Sequence, residues 1–217
     1  RETEVLRLGG SVATVATAES VVRVEPAAVA TPGEIVLLFA AGTDAEWFEE
    51  ELRALDLPTY RAAGRSYFGQ EQVVDLLAYL RLLLNRYDDE ALLTVLASPF
   101  VGVSNDALVL IRADASRQPI FRGIERSLPG DLSEEDRRLL LAFRQRYDRL
   151  LELAAHAPLE LLCERVLTEH DYDLAVLARH DGTRRYANLR KLARLARSYE
   201  ELRDADLEGF VRFVEGE

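Results

Sequence analysis

A stripe of apolar residues dictates how the middle of this chain can fold. It starts at Val73, recurs every three or four positions and consists of Val73, Leu76, Leu77, Leu80, Leu83 and Leu84. Because an α-helix has 3.6 residues per turn, this spacing places the whole stripe on one face of a helix that packs against a core. Asp88 or Asp89 can then cap a second helix that runs through Leu96. The stretch therefore predicts two consecutive amphipathic helices.

Amphipathic segments continue to the end of the chain, and no convincing strand follows Gly64. Ser133 precedes three acidic residues, and a serine cap followed by acids in the first turn is typical of a helix start. Residues 71–217 are therefore predicted to form an all-helical domain. Beyond the first two helices, the predicted helices cover residues 106–112, 133–154, 159–169, 184–203 and 207–214.

The first 70 residues have a different character. Residues 34–40 form a continuous apolar run, which is typical of a strand buried on both faces of a parallel sheet. A helix over 45–55 and a further strand over 59–62 would complete one strand–helix–strand unit of the α/β type. Residues 1–33 stay unassigned. The predicted fold class is α+β, mostly α, with a small α/β piece over 1–70 followed by the helical domain over 71–217.

The composition limits which functions and which cellular compartment fit this sequence. The formal net charge of −11 argues against a sequence-independent DNA coat, so a nucleic-acid role would need a local basic patch. No apolar run approaches the roughly 20 residues of a membrane span. Cys163 is the only cysteine, which suits a reducing compartment. We therefore expect a cytoplasmic protein without a disulfide framework.

The sequence carries no catalytic motif. Lys191, the only lysine, lies within a predicted helix rather than in a Gly-x-x-x-x-Gly-Lys-Ser/Thr phosphate loop, and there is no Gly-x-Ser-x-Gly nucleophile elbow. Cys163 and His170 lie seven residues apart, but we interpret them as a buried thiol and a half-exposed histidine, not as metal ligands. The acids at 88–90 are interpreted as helix caps. We expect no catalytic residue, no metal and no cofactor within this chain.

The strongest candidate for nucleic-acid contact by charge is the acid-free stretch at residues 184–197. Helical spacing places Arg190, Arg194 and Arg197 on a shared outer face. Two explanations remain open for this row of arginines. It is either a solvated face whose charges pair with the acids of the chain, or a surface that contacts a DNA backbone.

Four motifs in a fixed order support a family resemblance. They are Gly64-Arg65-Ser66-Tyr67-Phe68, Asp75-Leu76-Leu77-Ala78-Tyr79-Leu80-Arg81-Leu82, Asn85-Arg86-Tyr87-Asp88-Asp89 and Ser98-Pro99. In this order and spacing they resemble superfamily 1 DNA helicases of the UvrD/Rep/PcrA group, more particularly the AddA/RecB-like members that process double-strand breaks. Helix motifs at residues 186–192 and 206–210 are also similar to that family.

The resemblance implies an identity for both parts of the chain. Residues 1–70 resemble part of the RecA-like 2A motor domain, and residues 71–217 resemble the helical 2B insertion. ATP and Mg²⁺ would belong to other parts of the parent DNA-repair helicase, so this chain alone should lack ATPase activity. DNA, as duplex and as single-strand/duplex junction, is the implied partner. The candidate contacts are Arg65, Tyr67, Gly102, Val103, Ser104, Asn105, Arg184, Arg185, Arg190 and Arg194.

These candidates would act in three ways. Main-chain amides of residues 102–105 would meet duplex phosphate, since a helix N-terminus presents amides to anions. The four arginines of residues 184–194 would add phosphate contacts. Arg65 and Tyr67 would meet the single strand by charge and by stacking. The alternative is that the helical part is a protein-interaction or autoregulatory module, whose partner is a protein such as a nuclease subunit.

Overall fold

The computed structural model describes residues 13–16, 21–24, 35–37, 45–57, 59, 65–203 and 206–216. The chain divides into two compact units, residues 1–64 and residues 65–217. The division lies earlier than the sequence boundary at residue 70, because Tyr67 is 4% exposed and forms part of the core of the second unit. The described residues are mostly helical, which confirms the larger part of the fold-class prediction. None of their helices is both long and apolar enough to cross a membrane.

The first unit contains a hairpin-like strand pair and one helix among its described residues. Strands β1 (Ala13–Ala16) and β2 (Val21–Val24) pair antiparallel, with Ala13 opposite Val24. Helix α1 spans Ala45–Ala54, as the sequence predicted. In α1 the Trp47 side chain is 58% exposed, so it is not a core residue.

The prediction of a buried strand at residues 34–40 is wrong for the part that the structure describes. Residues 35–37 adopt no regular structure, and Val36 is 77% exposed. An apolar run becomes a buried strand only where neighbouring strands supply hydrogen bonds and helices cover both faces. No described residue pairs with 35–37 as a strand. The other predicted strand, residues 59–62, lies outside the described residues except for Thr59, which is not in a strand.

The second unit is all-helical over its described residues, as predicted. Its helices are α2 (Arg65–Phe68), α3 (Glu71–Leu84), α4 (Asp89–Ala97), α5 (Asn105–Ala115), α6 (Ile120–Arg126), α7 (Glu134–Ala154), α8 (Leu159–Glu169), α9 (Tyr172–Leu177), α10 (Gly182–Leu202) and α11 (Leu207–Glu215). Most of them extend the predicted segments or coincide with them. Helices α2, α6 and α9, which have only 4, 7 and 6 residues, were not predicted from the sequence.

Two helix starts follow the predicted capping chemistry. The carboxylate of Asp88 accepts a hydrogen bond from the Ala91 amide at 3.0 Å and caps α4. The Ser133 hydroxyl accepts one from the Asp136 amide, also at 3.0 Å, and caps α7. Each cap satisfies an amide that has no partner within its own helix.

Helix α3 is the centre of the helical unit. Its predicted stripe is buried except at Leu84, which is 42% exposed, and the helix contacts α4, α7, α8, α10 and α11. Aromatic rings fill the space around it: the ring of Tyr79 lies 5.0 Å from that of Phe100, which stacks on Tyr172 at 3.9 Å. Ring pairs at these separations add to the energy of apolar burial.

A buried histidine links three helical segments inside this core. His170, at the end of α8, is 5% exposed; its Nδ1 lies 2.9 Å from the Phe100 carbonyl oxygen, and its Nε2 lies 2.8 Å from the Tyr79 hydroxyl. Because a carbonyl oxygen only accepts, Nδ1 carries the proton and Nε2 accepts from Tyr79. Burial lowers the pKa of His170 to about 4, so the imidazole is neutral near pH 7. The sequence interpretation of a half-exposed histidine was therefore wrong.

A further buried polar pair lies at the start of α3. The Tyr172 hydroxyl donates to Asp75 Oδ2 at 2.7 Å, and Asp75 is only 6% exposed. Burial raises the pKa of the Asp75 carboxyl to about 6, although the hydrogen bond from Tyr172 opposes the shift. Asp75 and His170 therefore both titrate away from their ordinary ranges, in opposite directions.

Their titrations predict how stability depends on pH. Between pH 3.8 and about 6, the folded chain holds a proton on Asp75 that the unfolded chain has lost, so this carboxyl costs stability as the pH rises through that window. Asp75→Asn removes this pH-dependent contribution to the free energy of unfolding. Relative to the Asp75→Asn variant, the wild-type chain should gain about 1.4 kcal/mol for each pH unit of acidification between pH 6 and 4.

Urea unfolding of both proteins at pH 7, 6, 5 and 4 measures this difference. The buried His170 is present in both, so its own loss of stability below pH 6.5 cancels in the comparison. A difference that does not change with pH would show that Asp75 titrates normally in the folded chain.

Candidate nucleic-acid interface

The sequence-predicted contact residues occupy three separate places in the helical unit. Arg65 and Tyr67 belong to α2, whereas residues 102–104 lie in the connection from α4 to α5 and Asn105 begins α5. The remaining four, Arg184, Arg185, Arg190 and Arg194, lie on α10. Arg65 is the first residue of α2.

Tyr67 packs against α10 in this structure. Its ring is buried, its hydroxyl donates to the Asn188 carbonyl oxygen at 2.8 Å, and the Lys191 ammonium lies 4.4 Å from the ring centroid. This cation–π contact and the hydrogen bond attach α2 to α10. In this structure the Tyr67 ring therefore belongs to the core, and its contact with a single strand stays a prediction.

Most of the main-chain amides predicted to meet phosphate donate within the protein. Gly102, with a φ of 73°, donates its amide to the Ser98 carbonyl oxygen at 2.8 Å, and Val103 donates to the Leu96 carbonyl oxygen at 3.1 Å. The Ser104 amide donates to Asp136 Oδ1 at 2.8 Å. These three amides therefore already have acceptors within the chain, and their contact with duplex phosphate stays a prediction. Asn105 is exposed in the first turn of α5, where helix amides lack intrahelical acceptors.

The carboxylate of Asp136 occupies the position at the N-terminus of α5 where an external anion could bind. Asp136 Oδ2 also accepts from the hydroxyl groups of Ser104 at 2.9 Å and Ser133 at 2.6 Å. The hydrogen bond from the Ser104 amide, with those from the two hydroxyls, lowers the pKa of Asp136. The negative charge at this helix N-terminus is thus internal, which the macrodipole favours.

Helix α10 remains as the candidate surface. Its inner side packs against α8, α9 and α3, and its buried residues include Leu189, Leu192 and Ala196. The predicted apolar stripe of this helix is therefore confirmed; Arg194 lies on the opposite side, and Arg190 and Arg197 lie at the edge that faces α8. Arg194 is exposed and forms no ion pair with any residue that the structure describes.

The other arginines of α10 are paired or half-buried. Arg190 forms an ion pair with Glu164 of α8, and Arg185 Nη1 lies 3.1 Å from Glu71 Oε2 of α3. Glu71 Oε1 also lies 2.7 Å from Arg179 Nη1, and these two arginines lower the pKa of the Glu71 carboxyl. Arg184 is half-buried near the start of α10. Pairing with the acids of the chain, one of the two explanations left open for the arginine row, is thus what Arg190 and Arg197 do in the structure.

Comparison with known proteins adds the identity of the chain. The family model for the UvrD-like helicase C-terminal domain matches residues 17–125, which is half of the 217-residue chain. This chain belongs to the UvrD-like helicase C-terminal domain family. The family match includes residues of both units and ends in α6, and it confirms the resemblance drawn from the motifs.

Curated relatives of this UvrD-like chain share one description, the A subunit of an ATP-dependent helicase/nuclease. The proteins so described from Oceanobacillus iheyensis, Bacillus velezensis and Bacillus licheniformis are 29%, 31% and 32% identical over 183, 186 and 187 residues. Each alignment covers 84% of this chain but only 15% of the relative. The chain therefore spans about 15% of the length of the curated relatives it matches.

The described residues of this UvrD-like chain show neither a metal-ligand cluster nor a reactive thiol. No group of three or more metal-ligating side chains occurs among the described residues. Cys163 is fully enclosed, and burial raises the pKa of its thiol to about 12, as expected for an unreactive structural cysteine. The acids at 88–90 serve partly as caps and anchors: Asp89 Oδ1 accepts the Ile120 amide at 2.8 Å.

Sequence reasoning missed the acids that surround α10. Glu160, Glu164 and Glu71 lie more than 20 residues before their arginine partners, or more than 100 in the case of Glu71. Helical periodicity places residues around one helix only, so it could not pair α8 or α3 with α10. The one available signal was that α8 carries acids at 160 and 164, one turn apart on one face.

Proposed function

We propose that this chain is part of an ATP-dependent DNA helicase that acts in DNA repair or recombination, and that its helical unit contacts duplex DNA and regulates unwinding. The observation that supports this most strongly is the family match over residues 17–125. In this proposal residues 1–70 include part of the RecA-like 2A motor domain, and residues 71–217 form the 2B insertion. The parent helicase would act in the cytoplasm, on duplex DNA and single-strand/duplex junctions.

ATP and Mg²⁺ would be bound by other parts of the parent helicase. The only lysine of the chain, Lys191, lies on α10 above the Tyr67 ring and not in a phosphate-binding loop. A phosphate cradle needs a glycine-rich loop that aims backbone amides and a lysine at the phosphates, and this sequence has none. The 217-residue chain alone would therefore not hydrolyse ATP.

Within the chain, we propose the outer face of α10 as the DNA contact. Arg194 lies on the same side as Arg190 and Arg197, and the three span about 10 Å along the helix axis at 1.5 Å per residue. Arginine binds phosphate through a planar fork of donors. Because the net charge is −11, binding by the chain should be weak and sensitive to salt.

Changing Arg194 to Glu tests this contact. The change removes one phosphate contact and adds a repulsive charge, so the affinity of the 217-residue chain for a forked DNA at low salt should fall about tenfold. Fluorescence anisotropy with labelled fork DNA measures the change. Arg138→Glu on α7 makes the same charge reversal at an exposed arginine outside α10, and it should alter affinity less than threefold.

A protein partner is the other candidate. On α9, Leu174 is 60% exposed and Leu177 is 43% exposed, and their spacing of three places them on one side of the helix. Exposed leucines in this arrangement are typical of a contact with another protein, such as a nuclease subunit. If Arg194→Glu does not change DNA affinity while a partner protein remains bound to the chain after nuclease digestion, the interaction-module explanation is favoured.

A further inference from the structure

Acids of α8 lie in a row against the arginines of α10. Glu164 pairs with Arg190, and Glu160 Oε2 lies 3.8 Å from Arg197 Nη1. At the end of the row, the Leu159 amide donates to Glu200 Oε2 at 3.0 Å. As the α8 residue number falls, that of its α10 partner rises, so the two helices run antiparallel with their charged sides aligned.

The carboxylates hold positions on the arginines that a phosphate would also occupy. Carboxylate and phosphate are the two anions that match the guanidinium fork. Glu160 and Glu164 come from a neighbouring helix, so they could be displaced without changing the fold of α10. Arg197 also pairs with Glu201 of its own helix at 3.0 Å.

These pairs lie at the solvent boundary, where a competing anion can reach them. The side chains of Glu164 and Arg190 are 32% and 37% exposed, and that of Arg197 is 63% exposed. Ion pairs this accessible are weak, because water and salt screen them. Arg194 lies between the two paired arginines along α10 and forms no ion pair with any residue that the structure describes.

We propose that Glu160 and Glu164 are built-in competitors of nucleic-acid phosphate on α10. In this arrangement Arg194 meets the backbone first, and Arg190 and Arg197 bind it only after their carboxylates are displaced. The proposal rests on the DNA contact proposed above and adds its regulation. Because the carboxylates lower its affinity, the α10 surface would bind DNA only when the rest of the assembly holds the DNA nearby. The high effective concentration of DNA then compensates for the low affinity.

The double variant Glu160→Gln/Glu164→Gln tests the competition. Glutamine keeps the shape of the side chain but no longer competes as an anion. Binding of the 217-residue chain to forked DNA at low salt should become about tenfold tighter, since each exposed pair costs a factor of up to about five. The affinity should also fall more steeply with salt, because two more arginines meet phosphate.

The control separates competition from bulk charge. Glu134→Gln/Glu135→Gln also removes two negative charges, and both acids are exposed in the first turn of α7 rather than on α8 or α10. This control leaves the α8 acids in place, so it should tighten binding less than threefold. Circular dichroism spectra of all variants should match the wild-type spectrum, because the exchanged side chains are partly or fully exposed.

The outcomes distinguish the two proposals. If neither Arg194→Glu nor the α8 double variant changes DNA affinity, then both the proposed DNA contact at α10 and the proposed competition by the α8 acids are wrong. If Arg194→Glu weakens binding but the α8 variant behaves like the control, the contact stands and the competition is wrong. If the α8 variant gains affinity for polyglutamate and none for DNA, the α10 face binds an acidic protein.

Discussion

Replacing His170 with alanine is expected to lower the free energy of unfolding of the helical unit by roughly 4 kcal/mol. The substitution leaves a cavity beside Tyr79 and Phe100, and it removes the partners of a buried hydroxyl and a buried carbonyl. A buried polar group without a partner costs more than the hydrogen bond itself contributed. Urea unfolding followed by far-UV circular dichroism measures the loss as a lower midpoint.

Two further variants identify the origin of this loss. His170→Phe keeps a ring in place of the cavity but leaves the same two buried groups without partners, so it should cost about 2 kcal/mol less than His170→Ala. His156→Ala removes an exposed histidine and should change the free energy of unfolding by less than about 0.5 kcal/mol. If His170→Ala costs no more than His156→Ala, the His170 bonds do not hold the core together.

A methyl group at Gly182 is expected to lower the free energy of unfolding almost as much as His170→Ala does. A Cβ at this position would lie 2.3 Å from the Leu177 carbonyl oxygen and 2.7 Å from its carbon, which are backbone atoms at the end of α9. The preceding residue, Asp181, already adopts a left-handed φ of 56° to form the tight connection into α10. The backbone must shift to accept the methyl group, so Gly182→Ala should destabilise the unit by about 3 kcal/mol.

Gly130→Ala is the matched control. No atom lies within 4 Å of a Cβ at Gly130, which is exposed in the loop before α7. Alanine there should leave stability unchanged or raise it by about 0.5 kcal/mol, because it restricts the unfolded chain. Thermal unfolding of both variants compares them, and equal melting temperatures would contradict the close approach of α10 to Leu177.

Much of the helical unit could be predicted from sequence because its signals are local. The spacing of the α3 stripe and the capping residues Asp88 and Ser133 act within a few residues of the chain. The short helices α2, α6 and α9 were missed, since none of them is long enough to show a full periodic face. Their positions are set by packing, as in the hydrogen bond from Tyr172 to Asp75 across the unit.

The candidate site was less predictable, because its properties depend on contacts between distant residues. The sequence identified α10 as the basic helix and placed Arg194 correctly on its outer face. It could not show that Asp136 accepts the amide of Ser104, or that Tyr67 is enclosed by α10. It also could not place the acids of α8 beside Arg190 and Arg197.

The salt dependence of DNA binding tests the central claim most directly. Association constants of the 217-residue chain and of Arg194→Glu for the same forked DNA are measured from low to moderate salt. If Arg194 contacts phosphate, the slope of log K against log salt should be shallower in the variant by about 0.9, the value for one lost contact. Equal slopes and equal affinities for the two proteins would contradict a DNA contact at α10.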